Sequence, residues 1–419
     1  MTEPDNAPAP DGAAALTTPP VPVLDTPRGG MPPIVDTPHA LDETLTRLRE
    51  GSGPIGIDTE RASGFRYSQR AYLVQLYRED AGTFIVDPVA FDGLSPIAEA
   101  TRGIEHIFHA ASQDLPCLKD AGYLPDTIFD TELAGRLLGY EKVGLGSMVE
   151  KLLGVHLRKA YSAVDWSTRP LPREWITYAA LDVQLLPELR RILREQLIEA
   201  GKQRIAREEF DAVLASEPKA PRSEPWRRLS GIHALRKPRQ LAIARALWQA
   251  RDDYARVTDI APGRVIPDAA IVAAAREEPH SIEELRALRA FTGRASRAEM
   301  SRWWHAISEA QNAPVPSLAA PHQDGSFPPV KAWEHKNPDA FCRLHAARED
   351  IAQVSERTHI PAENLLSPRL LRELAWQGVA AEGLRAALSD GGARPWQIEL
   401  IAPVVAGAFE RAGASVPAE

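Results

Sequence analysis

The chain of 419 residues lacks the features that stabilise secreted proteins or hold proteins in membranes. It contains only two cysteines, Cys117 and Cys342, too few for a disulfide framework or a cysteine-rich zinc site. No apolar run approaches the ~18 residues that a membrane-spanning helix needs. The amino terminus, from Met1 to Asp5, has neither the basic flank nor the apolar core of a signal peptide. These absences predict a cytoplasmic protein with no membrane partner.

What the chain does contain is the composition of a globular protein, with 44% hydrophobic and 25% charged residues. Its length predicts two or three domains. The net charge of −8 argues at first against a nucleic-acid partner. However, residues 226–311 carry 15 Lys/Arg against 10 Asp/Glu, and the stretch from Arg227 to Arg245 contains no acid. A basic module on an acidic body is compatible with nucleic-acid binding.

The distribution of proline divides the chain into segments. Residues 1–36 are rich in proline and alanine and are predicted to form a disordered tail. Proline-rich linkers at 216–225 and 312–330 then separate three predicted domains, at residues 37–215, 226–311 and 332–412. The second and third are helical throughout, and their openings at Trp226 and Trp333 hint at two copies of one bundle.

The first predicted domain has an α/β pattern. Runs rich in Ile, Val, Tyr and Phe predict strands at 54–58, 71–77, 83–86 and 104–109. Helices are predicted at 39–50, 112–121, 131–138, 145–153 and 172–200, and Pro187 is expected to kink or split the last one. Because the first three strands follow one another closely, they should form hairpins. The pattern therefore predicts a mixed sheet flanked by helices and not an alternating barrel.

The most informative segment is the strand that ends in Asp58-Thr59-Glu60. Side chains alternate along a strand, so Asp58 and Glu60 point to the same side. Two adjacent carboxylates repel each other, and a hard divalent cation would offset that repulsion. Alternatively, one carboxylate caps a turn and the other is solvated, which is the commoner situation for an isolated Asp-x-Glu.

Two further acidic positions follow in the same domain. Asp114 lies where a strand turns into a helix, a position that also suits a carboxylate in the first helical turn. Tyr178 and Asp182 are four residues apart on a predicted helix, which places the phenol and the carboxylate on one face. By contrast, Asp130 precedes a predicted helix and is expected simply to cap it.

Taken in order, these motifs resemble the DEDD superfamily of 3′→5′ exonucleases, in the subclass that uses tyrosine. The segments 109–115, 129–139, 165–171 and 178–182 are similar to the ribonuclease D family in particular. Residues 226–311 resemble the HRDC domain, and 332–411 resemble that family's second, HRDC-like bundle. The resemblance implies a ribonuclease H-like α/β exonuclease domain followed by two helical bundles. Val164 stands where the family usually has serine, which puts substrate preference in question more than activity.

The resemblance also implies a mechanism that uses two divalent cations. All four acids offer oxygen ligands, so Mg²⁺ or Mn²⁺ is expected. Asp58 would bridge both ions, Glu60 and Asp182 would hold the one that activates water, and Asp114 would support the second. Tyr178 would orient the attacking water, since a phenol of pKa ~10 is a poor base. The expected substrate is the 3′ end of RNA, tRNA precursors above all, with release of nucleoside 5′-monophosphates.

A second group of residues is predicted to bind the nucleic acid itself. It consists of His109, Arg227, Arg228, Arg236, Lys237 and Arg239. The basic members could hold the body of an RNA by its phosphates, or they could form an ordinary solvated helix face.

Two other functions fit the same residues. One is a DNA-directed 3′→5′ exonuclease, which the resemblance of the C-terminal bundles disfavours. The other is a non-catalytic RNA-binding scaffold, which the presence of all five site residues disfavours.

Overall fold

The computed structural model describes residues 21–158, 161, 163–217, 222–291, 293–317 and 327–414. The strands are β1 (Val23–Leu24), β2 (Ile34–Val35), β3 (Ser52–Arg61), β4 (Ala71–Glu79), β5 (Gly82–Val86), β6 (Glu105–Phe108), β7 (Thr127–Asp130) and β8 (His156–Leu157). Six of them form a mixed sheet in the order β2-β5-β4-β3-β6-β7. Strand β4 is antiparallel to both β3 and β5, whereas β3, β6 and β7 run parallel. This arrangement puts β3 near the centre of the sheet.

Helices pack against this sheet, and the described chain after the α/β unit contains helices only. Those of the α/β unit are α1 (Pro38–Glu50), α2 (Ser95–Ala100), α3 (Leu115–Asp120), α4 (Thr131–Leu137), α5 (Leu145–Leu153), α6 (Arg173–Gln184), α7 (Leu186–Glu199) and α8 (Gln203–Leu214). The predicted fold class, a mixed sheet with helices followed by helical bundles, is confirmed. Pro187 acts as expected, because the predicted helix over 172–200 is divided into α6 and α7.

The remaining helices form two bundles. The first bundle contains α9 (Pro238–Thr258), α10 (Pro262–Val265), α11 (Asp268–Glu277), α12 (Ile282–Ala287), α13 (Arg294–Ala298) and α14 (Met300–Asn312). The second bundle contains α15 (Trp333–Lys336), α16 (Pro338–Thr358), α17 (Ala362–Leu365), α18 (Pro368–Gln377), α19 (Ala381–Asp390) and α20 (Pro395–Ala414). Helices of 21, 4 and 10 residues follow one another in both bundles, and the same numbering offset separates α9 from α16 as α10 from α17. The shared pattern supports two copies of one unit.

The prediction of a disordered tail over residues 1–36 is wrong for its second half. Residues 1–20 lie outside the described residues, but β1 pairs with β8 and β2 pairs with β5. Between these strands, the backbone N–H group of Arg28 donates to the Gln184 side chain at 2.9 Å, and Gln184 donates back to the Arg28 carbonyl. The segment is therefore ordered by contacts with α6 and distant strands, which its composition does not reveal.

Several elements were bounded wrongly or missed by sequence analysis. The helix predicted over 112–121 begins only at Leu115, after a short 3₁₀ turn at Ala111–Gln113. Strand β7 and helices α2 and α8 were not predicted. β7 is only four residues long and pairs with β6 alone, so its own sequence carries a weak signal.

The two bundles differ in how they join the α/β unit. Apolar side chains of the second bundle belong to the same continuous core as those of the sheet and its helices, whereas the first bundle has a core of its own. The second interface also contains an ion pair, in which the partly exposed Arg394 donates to the buried Glu209 at 2.6 Å. The Trp396 indole donates to the same carboxylate at 2.8 Å. The second bundle is thus part of the α/β core, and the first is attached at its surface.

Across the part of the chain that the structure describes, no helix combines the length and the apolar character needed to cross a bilayer.

Candidate active site

Strand β3 presents its alternate side chains Asp58 and Glu60 to helix α6. The close approach of the helix depends on Gly56, two residues earlier on the same face. A Cβ atom at this position would lie 2.7 Å from the Val183 carbonyl oxygen, so any larger residue would push α6 away. The small residues Ala179 and Ala180 of α6 are fully buried. Together these positions bring Asp182 of α6 next to the two carboxylates of β3.

The convergence of these acids is the central feature of the site. Ligand oxygens of Asp58, Glu60 and Asp182 all lie within 4.8 Å of one another. Tyr178 lies one helical turn before Asp182 on α6, close enough for each side chain to affect the pKa of the other. The predicted placement of the phenol and the carboxylate on one face of a helix is therefore present. Asp58 and Glu60 of strand β3 lie opposite that face.

Asp114 approaches the same site from a third segment. It lies just before α3, and its carboxylate accepts a hydrogen bond from the Thr59 hydroxyl at 2.6 Å. Asp114 is not within the group of three close acids, but it lines the same cavity as Asp58 and Glu60. It is thus placed beside the cluster rather than inside it.

The turn that carries Asp114 is held by Asp130. As predicted, the Asp130 carboxylate caps a helix, since it accepts from the N–H group of Leu133 in α4. It also accepts from the N–H groups of Ala110 and Ala111 at 3.1 and 2.8 Å. Because Ala110 adopts a left-handed backbone conformation (φ 69°), these bonds stabilise a turn that alanine would otherwise disfavour. Asp130 therefore has a positioning role beyond the predicted cap.

The crowding of carboxylates changes their protonation. Burial raises the pKa of Asp58 to about 6. Burial, together with the neighbouring charges of Asp58, Asp182 and Asp114, raises the pKa of Glu60 to about 10. The pKa values of Asp114 and Asp182 are also raised, mainly by burial. The protein alone therefore disfavours full ionisation of the cluster, and added positive charge would restore it.

The donor chemistry fits a divalent cation. The three close acids offer only carboxylate oxygens, which are preferred by hard ions such as Mg²⁺ and Mn²⁺ rather than by zinc or copper. Arg61, at the end of β3, lowers the pKa of Asp58, Glu60 and Asp114 through its charge, but this effect is smaller than that of burial. A cation site among these acids is the simplest way to accommodate their combined charge.

Two adjoining cavities open on the cluster. The larger has a volume of about 430 Å³. It is lined by Asp58, Thr59, Glu60, Arg61, Ser63, Gly64, Phe65, His109, Gln113, Asp114, Ala163, Val164 and Tyr178. The smaller, of about 210 Å³, shares Asp58, His109 and Tyr178 with it and also contains Asp182 and Arg158. The shared residues lie where the two cavities meet, so an extended ligand could pass along both.

Residues of the larger cavity that sequence analysis missed include Arg61, Phe65 and Thr59. Arg61 immediately follows the Asp-x-Glu segment, and a basic residue at the end of an acidic strand was the available signal. Phe65 belongs to a loop whose position depends on another domain, so no local pattern could have assigned it. Val164, the one departure from the family pattern, does line this cavity.

His109 is the one member of the predicted nucleic-acid-binding group that lines the cavities. Burial lowers its pKa to about 4, so the ring is neutral at neutral pH. Its Nδ1 atom lies 2.9 Å from the Thr131 hydroxyl, which itself donates to the Phe108 carbonyl. Because the hydroxyl hydrogen is already used, Nδ1–H must donate to Thr131, which leaves Nε2 as a hydrogen-bond acceptor.

The basic members of that group lie elsewhere, in the first bundle. Arg228, Arg236 and Lys237 are exposed, although Lys237 pairs with Glu278 at 3.5 Å. Arg227 and Arg239 are only partly exposed. Arg227 pairs with Glu224, and Arg239 donates to carbonyl oxygens of Ala310 and Ala313 near the end of α14.

Comparison with known protein families identifies three matching regions. Residues 32–198 match the 3′-5′ exonuclease family, residues 240–307 match the HRDC domain, and residues 326–409 match the 3′ to 5′ exonuclease C-terminal domain. The exonuclease fold implies the use of divalent metal, in agreement with the acidic cluster. The metal's identity does not follow from it.

Individual relatives agree with these matches. Ribonuclease D of Granulibacter bethesdensis is 31% identical over 309 residues, which cover 71% of this chain and 77% of that protein. A crystal structure of a protein from Bifidobacterium adolescentis is 35% identical with a TM-score of 0.86 and covers 93% of this chain and 99% of that one. The structure of Escherichia coli RNase D, described as an exoribonuclease involved in structured RNA processing, is 26% identical with a TM-score of 0.65, covering 91% and 99%. Two other curated ribonucleases D are matched over 62% and 66% of their lengths.

Replacing Glu60 by glutamine should show separately how much the acidic cluster lowers the stability of the fold and how much it contributes to cation binding. In EDTA at pH 7.5 we expect Glu60→Gln to unfold about 2 °C or more above the parent chain, because folding no longer requires this carboxyl group to take up a proton. Mn²⁺ should raise the unfolding temperature of the parent and raise that of the variant less. Differential scanning calorimetry measures both effects, with Glu356→Gln, an exposed acid on α16, as the control. A variant that melts below the parent in EDTA, or that gains as much from Mn²⁺, would contradict the cation site.

Proposed function

Because the chain belongs to the ribonuclease D family, we propose that it is a 3′→5′ exoribonuclease that releases nucleoside 5′-monophosphates from RNA 3′ ends. The observation that carries this proposal is the convergence of Asp58, Glu60 and Asp182 within 4.8 Å, from segments more than 120 residues apart in sequence. A structural role alone would not explain such a group, because mutual repulsion of closely spaced carboxylates opposes folding. The physiological substrates proposed are structured RNAs, tRNA precursors in particular.

Two divalent cations, Mg²⁺ or Mn²⁺, are the proposed cofactors. Asp58, Glu60 and Asp182 would hold them, and Asp114, which lies beside the cluster, would support the second ion. When bound, such a pair stabilises the attacking and leaving oxygens of an in-line displacement at phosphorus. The protein's own contribution is to hold the four carboxylates rigidly on β3, α6 and the turn before α3.

Tyr178 is proposed to orient the attacking water. Burial and the nearby carboxylates raise the pKa of its phenol above the ordinary value, so the hydroxyl stays protonated at neutral pH. A protonated phenol is a hydrogen-bond donor and acceptor but not a base. Its side chain lies at the junction of the two cavities, where the hydroxyl can align a water molecule without removing its proton.

His109 supports RNA over DNA as the substrate. Its Nε2 atom is an acceptor, as argued above, and the residue lines both cavities. An acceptor at this place can take a hydrogen bond from a ribose hydroxyl, and the 2′-hydroxyl is the group by which proteins distinguish RNA from DNA. A deoxyribose offers no such donor at the 2′ position.

The exposed cations of the first bundle are proposed to hold the body of the RNA. Arg236 and Lys237 directly precede α9, whose other end contacts the α/β unit, and Arg228 is an exposed cation of the same bundle. The helix has 21 residues, which corresponds to a length of about 30 Å. Arg236 and Lys237 are therefore too distant to touch the terminal nucleotide and would contact phosphates further along the chain.

The direct test is incubation of the purified protein with 3′-extended tRNA. We expect stepwise shortening with release of 5′-monophosphates in Mg²⁺, no shortening in EDTA, and no shortening by Asp182→Asn, which keeps the shape of the side chain but removes a charged ligand. Asp42→Asn, on the exposed face of α1, is the control and should behave like the parent. Matched single-stranded RNA and DNA oligonucleotides belong in the same assay. Activity of Asp182→Asn, or equal rates on DNA, would contradict the proposal.

Substitution of Tyr178 by phenylalanine tests the role of its hydroxyl group. The ring packing is kept, so we expect RNA binding to change little while the turnover number falls by about 10²- to 10⁴-fold. Single-turnover kinetics measure the chemical step, and fluorescence anisotropy of the variant in Ca²⁺ measures binding. If turnover is unchanged, the residue serves packing alone.

The double variant Arg228→Ala/Arg236→Ala tests the proposed contact with the RNA body. Loss of two phosphate contacts should reduce the slope of log K against log[salt] by about 1.5. Arg49→Ala, an exposed arginine on α1, is the control. Binding of a labelled tRNA across a range of KCl concentrations gives the slope. An unchanged slope would mean that these arginines belong to an ordinary solvated surface.

A further inference from the structure

One wall of the larger cavity is a loop that contacts both the α/β unit and the first bundle. This wall loop, residues 62–70, connects β3 to β4 directly after the acidic strand and contributes Ser63, Gly64 and Phe65 to the cavity lining. Ser63 and Gly64 are exposed. On the side of the α/β unit, Arg66 donates to the Ser167 hydroxyl at 2.8 Å, and Phe65 packs against an apolar cluster that contains Trp166. Further support comes from outside the α/β unit.

The first bundle supplies that support from residues 259–264, here called the bundle corner, which comprise the turn after α9 and the first residues of α10. Arg264 donates from Nε to the Gly64 carbonyl oxygen at 2.7 Å, and its guanidinium group lies 3.9 Å from the centre of the Phe65 ring. The backbone N–H group of Ala261 donates to the Phe65 carbonyl oxygen at 2.9 Å. Gly64 and Phe65 are thus bound to the bundle corner through their backbone carbonyl groups, and one face of the Phe65 ring is covered by Arg264.

Asp259 fixes the far end of the same loop. Its carboxylate accepts from the Ser68 N–H group at 2.9 Å and from the Tyr72 hydroxyl at 3.2 Å. Asp259 lies in the left-handed region (φ 50°), where it ends α9 and turns its side chain toward the loop. The Tyr67 hydroxyl reaches Asp252 of α9, also at 3.2 Å. The corner consequently grips the loop at several points along its length.

We infer that Arg264 and Asp259 are positioning residues, through which the first bundle shapes the cavity that receives the terminal nucleotide. This role differs from RNA-body binding by Arg236 and Lys237 near the other end of α9, about 30 Å away. The bundle accordingly serves the nuclease in two separable ways, one at each end of a single helix. The kinetic consequence rests on the proposed function, whereas the structural one does not.

The two roles can be separated by the length of the substrate. A trinucleotide spans about 10 Å at ~3.4 Å per stacked nucleotide, so it cannot reach the cations that precede α9 while it occupies the cavity. We expect Arg264→Ala to lower kcat/KM on an RNA trinucleotide by about tenfold, mainly through KM, because the wall loop no longer holds its place. Arg264→Lys should recover part of the loss, since lysine can donate to Gly64 but cannot stack on Phe65. Arg276→Ala, an exposed arginine of α11 in the same bundle, is the matched control.

Limited trypsin digestion gives a readout that does not depend on catalysis. The wall loop contains two cleavage sites, after Arg66 and Arg70, and mass spectrometry identifies both. We expect Arg264→Ala to raise the initial rate of cleavage at these sites by about fivefold or more over the parent and Arg276→Ala. Asp259→Asn, which keeps an acceptor for Ser68 but not for Tyr72, should act in the same direction. If Arg264→Ala does not fold, the cleavage rate of Asp259→Asn decides whether the bundle corner holds the wall loop.

The combined outcomes are unambiguous. Faster cleavage together with a higher KM on the trinucleotide supports the inference. Faster cleavage with unchanged kinetics, changed kinetics with unchanged cleavage, or no change in either would overturn it. If the parent chain degrades no RNA, the proposed function fails, and the digestion alone still decides whether the bundle corner holds the wall loop.

Discussion

Electrostatic repulsion among closely spaced carboxylates is the constraint on which the rest of this structure depends. Asp58, Glu60 and Asp182 lie so close together that burial and mutual charge raise the pKa of Glu60 to about 10. Such a cluster persists only if rigid elements hold it against the repulsion. The central strand, the helix pressed against Gly56 and the turn tied by Asp130 provide that rigidity. The same repulsion favours the binding of cations, so the feature that lowers the stability of the fold is also the one that suits the site to a metal ion.

Sequence alone predicted the parts of this arrangement that follow a local period. Alternation along a strand placed Asp58 and Glu60 on one side, and four-residue spacing on a helix placed Tyr178 with Asp182. The mixed sheet followed from strands too close for helical crossovers. What local patterns could not give was contact between distant segments. Val23–Leu24 form a strand because β8 is there to pair with, 132 residues later. No pattern near Phe65 indicates that a guanidinium group from another domain covers it. The role of each site residue remains a prediction from the family resemblance and the geometry.

The two helical bundles use the same structural position to contact the α/β unit. In the first, the turn after the long helix begins at Asp259 and holds the wall loop. In the second, the long helix ends at Thr358, whose carbonyl accepts from the Lys202 ammonium group, and the next residue, His359, abuts Gly139. In both bundles the residue directly after the long helix, Asp259 or His359, has a positive φ. The two bundles thus attach to the α/β unit by similar turns, one at the loop after the acidic strand and one beside the connection from α4 to α5.

The merged core of the second bundle has a consequence for how this protein tolerates shortening. Because Trp396 and its neighbours share one apolar interior with the sheet, a chain cut before that bundle would present core side chains to water and invite aggregation. The first bundle keeps its own interior, so evolution can exchange or lose it at a lower penalty. The order of the domains along the chain therefore does not indicate which bundle the α/β unit needs more for its stability. The second bundle is more distant in sequence, yet it is the one that completes the core of the α/β unit.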